Sequence, residues 1–147
     1  MTPTVVSVNI SEHKGTRKQP VVGPVAVTAQ GLAHDAHAGD WHRQVSLLAQ
    51  ESVDTMQGHG VVLHPGDFAE NITTRGLALV TLPIGTRLRI GDTVVLEVTQ
   101  IGKECHLACE IRKLVGDCIM PREGIFARVI TPGVITAGDI IVSGGEL

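Results

Sequence analysis

Aromatic side chains are nearly missing from this chain: Trp41, Phe68 and Phe126 are all it has, and there is no tyrosine. A core without aromatic bulk must be built from Val, Ile and Leu, and the β-branched share of these favours strands. No apolar run reaches the roughly 18 residues that a membrane-crossing helix needs, and no N-terminal stretch has the form of a signal peptide. Basic residues are in the minority, twelve Lys and Arg against fifteen Asp and Glu, for a net charge of −3. A general nucleic-acid binder shows the opposite balance, so neither nucleic acid nor membrane is expected as a partner. Cysteine is scarce and odd in number, three in all. That excludes a fully paired disulfide scaffold and fits reduced thiols in a cytoplasmic protein.

Those three cysteines lie within fourteen residues, Cys105, Cys109 and Cys118, with His106 beside the first and Lys103, Arg112, Lys113 and Arg122 nearby. A thiolate is the softest nucleophile and metal ligand a protein has, and neighbouring cations favour it. The spacing C-x3-C-x8-C departs from the paired C-x2-C knuckles of structural zinc sites, although Cys and His suit tetrahedral zinc. Three uses stay open on residues alone: a zinc-stabilised β-domain, a single thiolate acting as nucleophile or ligand, or buried apolar sulfur, which cysteine often is.

The chain reads as one domain over residues 1–147, long enough for a real core. Alternation predicts a strand at 4–10, a polar basic loop at 11–19, a second strand at 21–28, and a loop over 31–40. A short strand follows at 43–48 and a helix over 49–57, with Val53 and Met56 inward and Gly58 as its stop. Residues 65–76 read as loop or short strand. Gly91-Asp92 and Gly138-Asp139 sit between apolar alternating runs and mark tight turns. A helical turn is expected at 107–115 and a strand at 125–131. Short strands at even spacing predict a mainly β fold, a closed or partly open β-barrel with one or two small helices.

Three further clusters carry polar chemistry. His34, Asp35, His37, Asp40 and His42 recur over residues 34–43, a stretch that follows Gly31 and contains Gly39, suited either to a ligand or to fixing the loop's own backbone. Glu70 and Asn71 stand between apolar neighbours, where a polar pair needs a partner. They can read the donor and acceptor edge of a heterocycle, or Asn71 can bond a strand-end turn. Lys14, Arg17 and Lys18 surround Gly15 without a P-loop pattern. No G-x-S-x-G elbow, H-E-x-x-H helix or G-x-G-x-x-G fingerprint offers another enzyme class.

Taken in order, Lys14-Gly15…Lys18, Asp35-Ala36-His37-Ala38-Gly39, Gly66-Asp67-Phe68-Ala69-Glu70-Asn71, Gly102-Lys103…Cys105-His106…Cys109 and Gly116-Asp117-Cys118…Pro121-Arg122-Glu123-Gly124-Ile125-Phe126 resemble the small stand-alone MOSC domains. MOSC names the C-terminal domain of molybdenum cofactor sulfurase. The resemblance spans nearly the whole chain and implies a barrel-like β fold and a role with the molybdenum cofactor (molybdopterin). It implies that Cys109 or Cys105 ligates molybdenum or carries a sulfane sulfur, with His106 tuning the thiolate and Cys118 as second ligand, resolving thiol or bystander. Lys14, Lys18, Arg43 and Arg122 would hold the cofactor with Asp35 and His37, and Glu70 and Asn71 would read the pterin. Implied partners are the enzymes that make the cofactor and, for a reductase of N-hydroxylated compounds, a separate electron donor. These residues include neither the N-terminal β-barrel domain of the amidoxime-reducing enzymes nor the aminotransferase-like domain of the sulfurases. Pyridoxal phosphate is therefore not expected here, and cofactor handling is expected ahead of autonomous catalysis.

Overall fold

A computed structural model describes residues 2–55, 62–102 and 123–144. Eleven strands and one short helix follow in the order β1 (Thr4–Ile10), β2 (Gln19–Pro20), β3 (Val25–Thr28), β4 (Gly31–Leu32), β5 (Val45–Ala49), α1 (Gln50–Asp54), β6 (Ile72–Arg75), β7 (Arg87–Ile90), β8 (Val94–Ile101), β9 (Ile125–Thr131), β10 (Gly133–Ile135) and β11 (Ile141–Ser143), among the described residues. The fold is mainly β, as the composition predicts. No helix among these residues is long and apolar enough to cross a membrane.

Eight strands form one sheet in the order β11-β7-β8-β9-β5-β6-β1-β2, and β10-β3-β4 form a second. The large sheet curls until its first strand meets the chain entering its last. Val5 N–H donates to the Asp139 carbonyl at 2.9 Å, Gly138 N–H to Val5 at 2.8 Å, and Ile141 N–H to Pro3 at 2.9 Å. The result is a half-barrel drawn together at one seam. The Gly91-Asp92 turn joins the β7–β8 hairpin, whose register runs Arg87↔Glu97 to Ile90↔Val94. The Gly138-Asp139 turn leads into β11.

β5 lies at the centre and all five of its residues are buried. It pairs antiparallel with β9 and parallel with β6, Leu47 opposite Ile72. A parallel neighbour needs a crossover, and α1 begins it. The predicted helix is shorter than its pattern: α1 ends at Asp54, with Val53 the residue it buries, while Met56 and Gly58 lie outside the described residues. The strand expected over 21–28 begins only at Val25, because Gly23, at φ +92°, and Pro24 turn the chain and leave Val22 fully exposed. The strand at 72–75 resolves the loop-or-strand reading of 65–76. The helical turn expected at 107–115 falls outside the described residues.

The core is the Val, Leu and Ile interior expected of an aromatic-poor chain, including Val8, Leu47, Ile72, Leu88, Leu96, Ile125 and Ile135. Burying each such side chain is worth about 1.5–3 kcal/mol relative to exposure. Inside this apolar frame sit buried polar groups, Asn9, Glu70, Asn71 and Thr73 among them, and one buried lysine, Lys18, only 1% exposed.

Candidate functional site

The basic loop after β1 and the His/Asp loop after β4 fold against each other, and Lys18 joins them. Its ammonium donates to Asp35 Oδ1 at 2.8 Å and to Ser11 Oγ at 3.0 Å, and meets His37 Nδ1 at 3.0 Å. Asp35 is further held by the backbone N–H groups of Ser11 (3.1 Å) and His37 (3.0 Å). Burial alone would push its carboxyl up, but the Lys18 hydrogen bond and charge, with those two amides, hold it below the usual carboxylate range. A buried ion pair of this kind is justified only when its remaining hydrogen-bonding groups are met, and here several are.

Beyond His37 the loop builds a stack around the single tryptophan. Trp41 Nε1 donates to the His37 carbonyl at 2.8 Å, and the two rings lie parallel with centroids 6.3 Å apart. Lys14 Nζ stands 4.7 Å from the indole centroid and the Arg43 guanidinium 4.8 Å from it. Arg43 also faces Phe126 at 5.6 Å. Its Nε is buried without a hydrogen-bond partner. Two cations around one aromatic ring make a concentrated positive patch in a chain of net negative charge.

Gln44 and Gly31 explain why the loop takes this shape. The Gln44 carboxamide donates to the carbonyls of Ala29 (3.0 Å) and Gly39 (2.8 Å) and accepts from Val129 N–H (2.8 Å), pinning the loop to β9. Gly31 sits at φ +128°, and a Cβ there would lie 2.9 Å from the Gln44 carbonyl oxygen. Sequence reasoning passed over Gln44; its one signal is a polar residue entering an otherwise apolar strand.

Glu70 and Asn71 are fully buried. Asn71 Oδ1 accepts from Ser46 N–H (3.0 Å) and Ser46 Oγ (3.1 Å), and its Nδ2 donates to the Asn9 carbonyl at 3.2 Å. Glu70 accepts from Phe68 N–H at 3.2 Å and from Thr73 Oγ1 at 2.7 Å. Burial pushes the Glu70 carboxyl up, with these hydrogen bonds only partly opposing it. Asn9, whose Nδ2 reaches both the Glu70 carbonyl and Thr73 Oγ1 at 3.1 Å, completes a polar network linking β1, β5 and β6. Asn9, Ser46 and Thr73 were not singled out by sequence, because each falls at an ordinary strand position. Asn71→Ala takes the carboxamide from two buried partners, Ser46 N–H and the Asn9 carbonyl, while Ser46 Oγ keeps the Ala69 carbonyl at 3.2 Å; at about 1–3 kcal/mol for each group left unsatisfied, partly relieved by relaxation, chemical denaturation should show a loss of about 2–3 kcal/mol.

Cys105, His106, Cys109, Cys118 and Arg122 lie outside the described residues. The chain leaves for them at Gly102 and returns at Glu123, and Gly102 N–H donates to the Gly124 carbonyl at 2.7 Å. Gln100, two residues before that exit, meets His42 Nε2 at 2.8 Å, and Thr99 Oγ1 donates to the His42 carbonyl. The root of the cysteine segment is therefore fastened to the loop that carries Trp41 and Arg43. Lys14, Lys18, Asp35, His37 and Arg43 are brought together; the Glu70 and Asn71 side chains are engaged with Phe68, Thr73, Ser46 and Asn9 instead. A separate cleft of about 310 Å³, lined by Ala49, Leu77, Leu79 and Val80 with Glu51 and Glu123, contains none of the residues predicted from sequence. Among the described residues no group of three or more His, Cys, Asp and Glu is placed to hold a metal ion.

Comparison with known proteins agrees with this architecture. The YuaD protein of Bacillus subtilis superposes with a TM-score of 0.81 at 19% identity, over 99% of this chain and 98% of that one. YiiM of Geobacillus stearothermophilus gives 0.74 at 23% identity, over 98% and 76%. YiiM of Escherichia coli gives 0.69 at 19%, over 100% and 71%. At these identities the likeness shows the fold alone. Comparison with curated proteins gives no match. The MOSC domain model matches residues 34–142, from the His/Asp loop through β11, and the chain belongs to the MOSC domain family.

Proposed function

We propose that this protein binds the molybdenum cofactor and that a thiolate of Cys109 or Cys105 serves it as molybdenum ligand or as carrier of a sulfane sulfur. The family is one associated with that cofactor. The observation that carries the reading further is the Arg43 guanidinium, packed between Trp41 and Phe126 with a buried Nε that has no partner. Arg43 is half-buried, and a buried N–H donor left without an acceptor is costly, a cost that an incoming anion can remove. The described residues fit such a group: Arg43 and Lys14 offer cationic donors to a phosphate, and Trp41 offers an aromatic wall beside them. When bound, the cofactor supplies two-electron redox and atom-exchange chemistry at its metal.

Within this reading each residue of the chain has a separate task. Arg43 and Lys14 bind the cofactor phosphate, with Arg122 as a third cation. Lys18 and Asp35 hold His37 in place. Glu70 and Asn71 fix the β1–β5–β6 junction on which both loops rest, so they affect pterin binding from behind. His106 tunes the thiolate beside it, and Cys118 is a bystander to the metal. The partners would be enzymes that make or receive the cofactor in the cytoplasm.

Protein purified from a host that makes the cofactor should carry molybdenum and a fluorescent pterin. Arg43→Met should retain about one tenth of that pterin, the loss of roughly one charged hydrogen bond. Its stability should stay within about 1 kcal/mol of the parent, because the lost cation–π contact and the removed unsatisfied Nε oppose each other. Cys105→Ser and Cys109→Ser separate the two thiols, the true ligand losing metal while its neighbour does not. Wild-type protein lacking both molybdenum and pterin overturns the proposal, and stoichiometric zinc with unfolding by chelator would replace it. Turnover of an N-hydroxylated compound with a reductase mix, lost with the metal-bearing thiol, would extend the role from carrier to enzyme.

A further inference from the structure

The cleft of about 310 Å³ beside α1 stands apart from the Lys14–Trp41–Arg43 stack, and its chemistry is opposite in sign. Its wall is apolar. Ala49 ends β5 and Leu79 opens a short 3-10 turn over Leu79–Thr81; both belong to the core, and Leu77 packs against it. Val80, 42% exposed, carries this hydrocarbon surface out to solvent.

Two carboxylates line the same cleft, Glu51 from α1 and Glu123, at which the chain returns towards β9. Each is held by a single donor. Glu51 Oε2 accepts from Gly76 N–H at 2.8 Å, and Glu123 Oε1 accepts from Ser52 Oγ at 3.2 Å. A carboxylate has about four acceptor sites, so one hydrogen bond leaves most of its capacity unused. Glu51 Oε1 and Glu123 Oε2 have no partner among the described residues, and none of the described residues lining the cleft is Lys, Arg or His.

The pairing of an apolar wall with two anchored anions narrows what fits. An anion is repelled by both carboxylates. A neutral apolar ligand would strip water from them and give no donor in return. A bare divalent cation takes about six to eight oxygen ligands, which a hydrocarbon wall does not offer. An alkylammonium meets both demands: its three N–H donors make charge-assisted hydrogen bonds, and its chain covers the wall. The volume lies at the lower end of the roughly 300–1,000 Å³ usual for small-molecule pockets. We propose that this cleft is a binding site for a small aliphatic amine in its ammonium form, with Glu51 and Glu123 as the anions that receive it. The cleft shares no residue with the cationic stack, so it stands independently of the cofactor-binding reading. Glu123 directly follows the segment that carries the three cysteines, which places the amine where the chain comes back from them.

The test titrates the full chain with hexylammonium at about pH 7, where it is charged as a lysine side chain is, and follows backbone amide NMR shifts. Hexanol and hexanoate are the neutral and anionic probes of equal chain length. Shifts should centre on Gly76, Leu77, Leu79 and Glu123, with a Kd of about 1–10 mM for a short chain and one charged contact. Hexanol should bind about tenfold more weakly, and hexanoate more weakly still. Added salt should weaken hexylammonium and leave hexanol unchanged. Glu51→Gln and Glu123→Gln keep the shape of each side chain and remove its charge. Each should cost hexylammonium about threefold in affinity, and the double variant should bind it no better than hexanol. In the wild-type protein, equal affinity for hexylammonium and hexanol, or no shifts at the cleft amides, overturns the proposal, and neither result needs a variant to fold. A folded double variant that keeps its full preference for the ammonium overturns it equally.

Discussion

Lys18→Met should lower the unfolding free energy at pH 7 by about 3–5 kcal/mol, the cost of leaving one charge of a buried pair alone. Lys18 and Asp35 side chains are both fully inaccessible to solvent. Methionine refills most of the lysine stem, so the loss isolates the ammonium from its packing. Without it, Asp35 keeps its two backbone N–H donors but loses its counter-charge, and Ser11 Oγ and His37 Nδ1 lose a donor. Lys18→Met/Asp35→Leu should recover part of the loss, because replacing both partners removes the orphaned charge. A double variant as unstable as the single one would show that the loss does not come from the orphaned Asp35 charge.

The pH dependence of the loss carries the sign of the Asp35 shift. In the wild-type protein the Asp35 carboxyl is held below its ordinary value of 3.8. Its contribution is therefore present above that value and lost as pH falls through the lower folded value. In Lys18→Met burial acts with less opposition and pushes the same carboxyl up, so the folded variant takes up a proton earlier and gains on acidification. The gap between the two proteins should narrow from pH 7 towards pH 4, as followed by urea midpoints. Glu70 works in the opposite sense, its raised carboxyl making the folded state lose stability as pH rises above the ordinary value of 4.5. It is present in both proteins and cancels from the difference.

The strand pattern was legible because β-branched alternation and Gly-Asp turns act locally. β1, β9 and the β7–β8 hairpin follow from neighbouring residues alone. The parallel pairing of β5 with β6 was not legible, because it depends on a crossover whose length carries no alternation signal. Site residues divided along similar lines. Lys14, Lys18, Asp35, His37 and Arg43 stood out as charges grouped in loops, yet sequence could not say that Lys18 turns inward while Lys14 stays on the indole face. That choice is made by Asp35, seventeen residues away, and by the floor beneath Lys18. Glu70 and Asn71 were legible as polar residues in need of partners. Their partners Asn9, Ser46 and Thr73 come from three strands or their edges that only the fold brings together.

That floor is Gly66, and Gly66→Ala should be nearly as damaging as the loss of Lys18. A Cβ at this position would stand 2.2 Å from the Lys18 carbonyl oxygen and 2.9 Å from its carbon, and the backbone is at φ +89°. The colliding group is backbone, which cannot swing aside as a flexible side chain would. Lys18 N–H also donates to the Gly66 carbonyl at 2.8 Å, so the two segments must separate together. Left-handed strain of about 1–2 kcal/mol and overpacking of about 1–3 kcal/mol together predict a loss of about 2–5 kcal/mol. Gly85 is the matched control: it has φ +96° and nothing within 4 Å of an added methyl, so Gly85→Ala bears the strain without the collision. Its loss should be about 1–2 kcal/mol, and the difference between the two measures the contact. Equal destabilisation by both substitutions would show that Gly66 serves only its own turn.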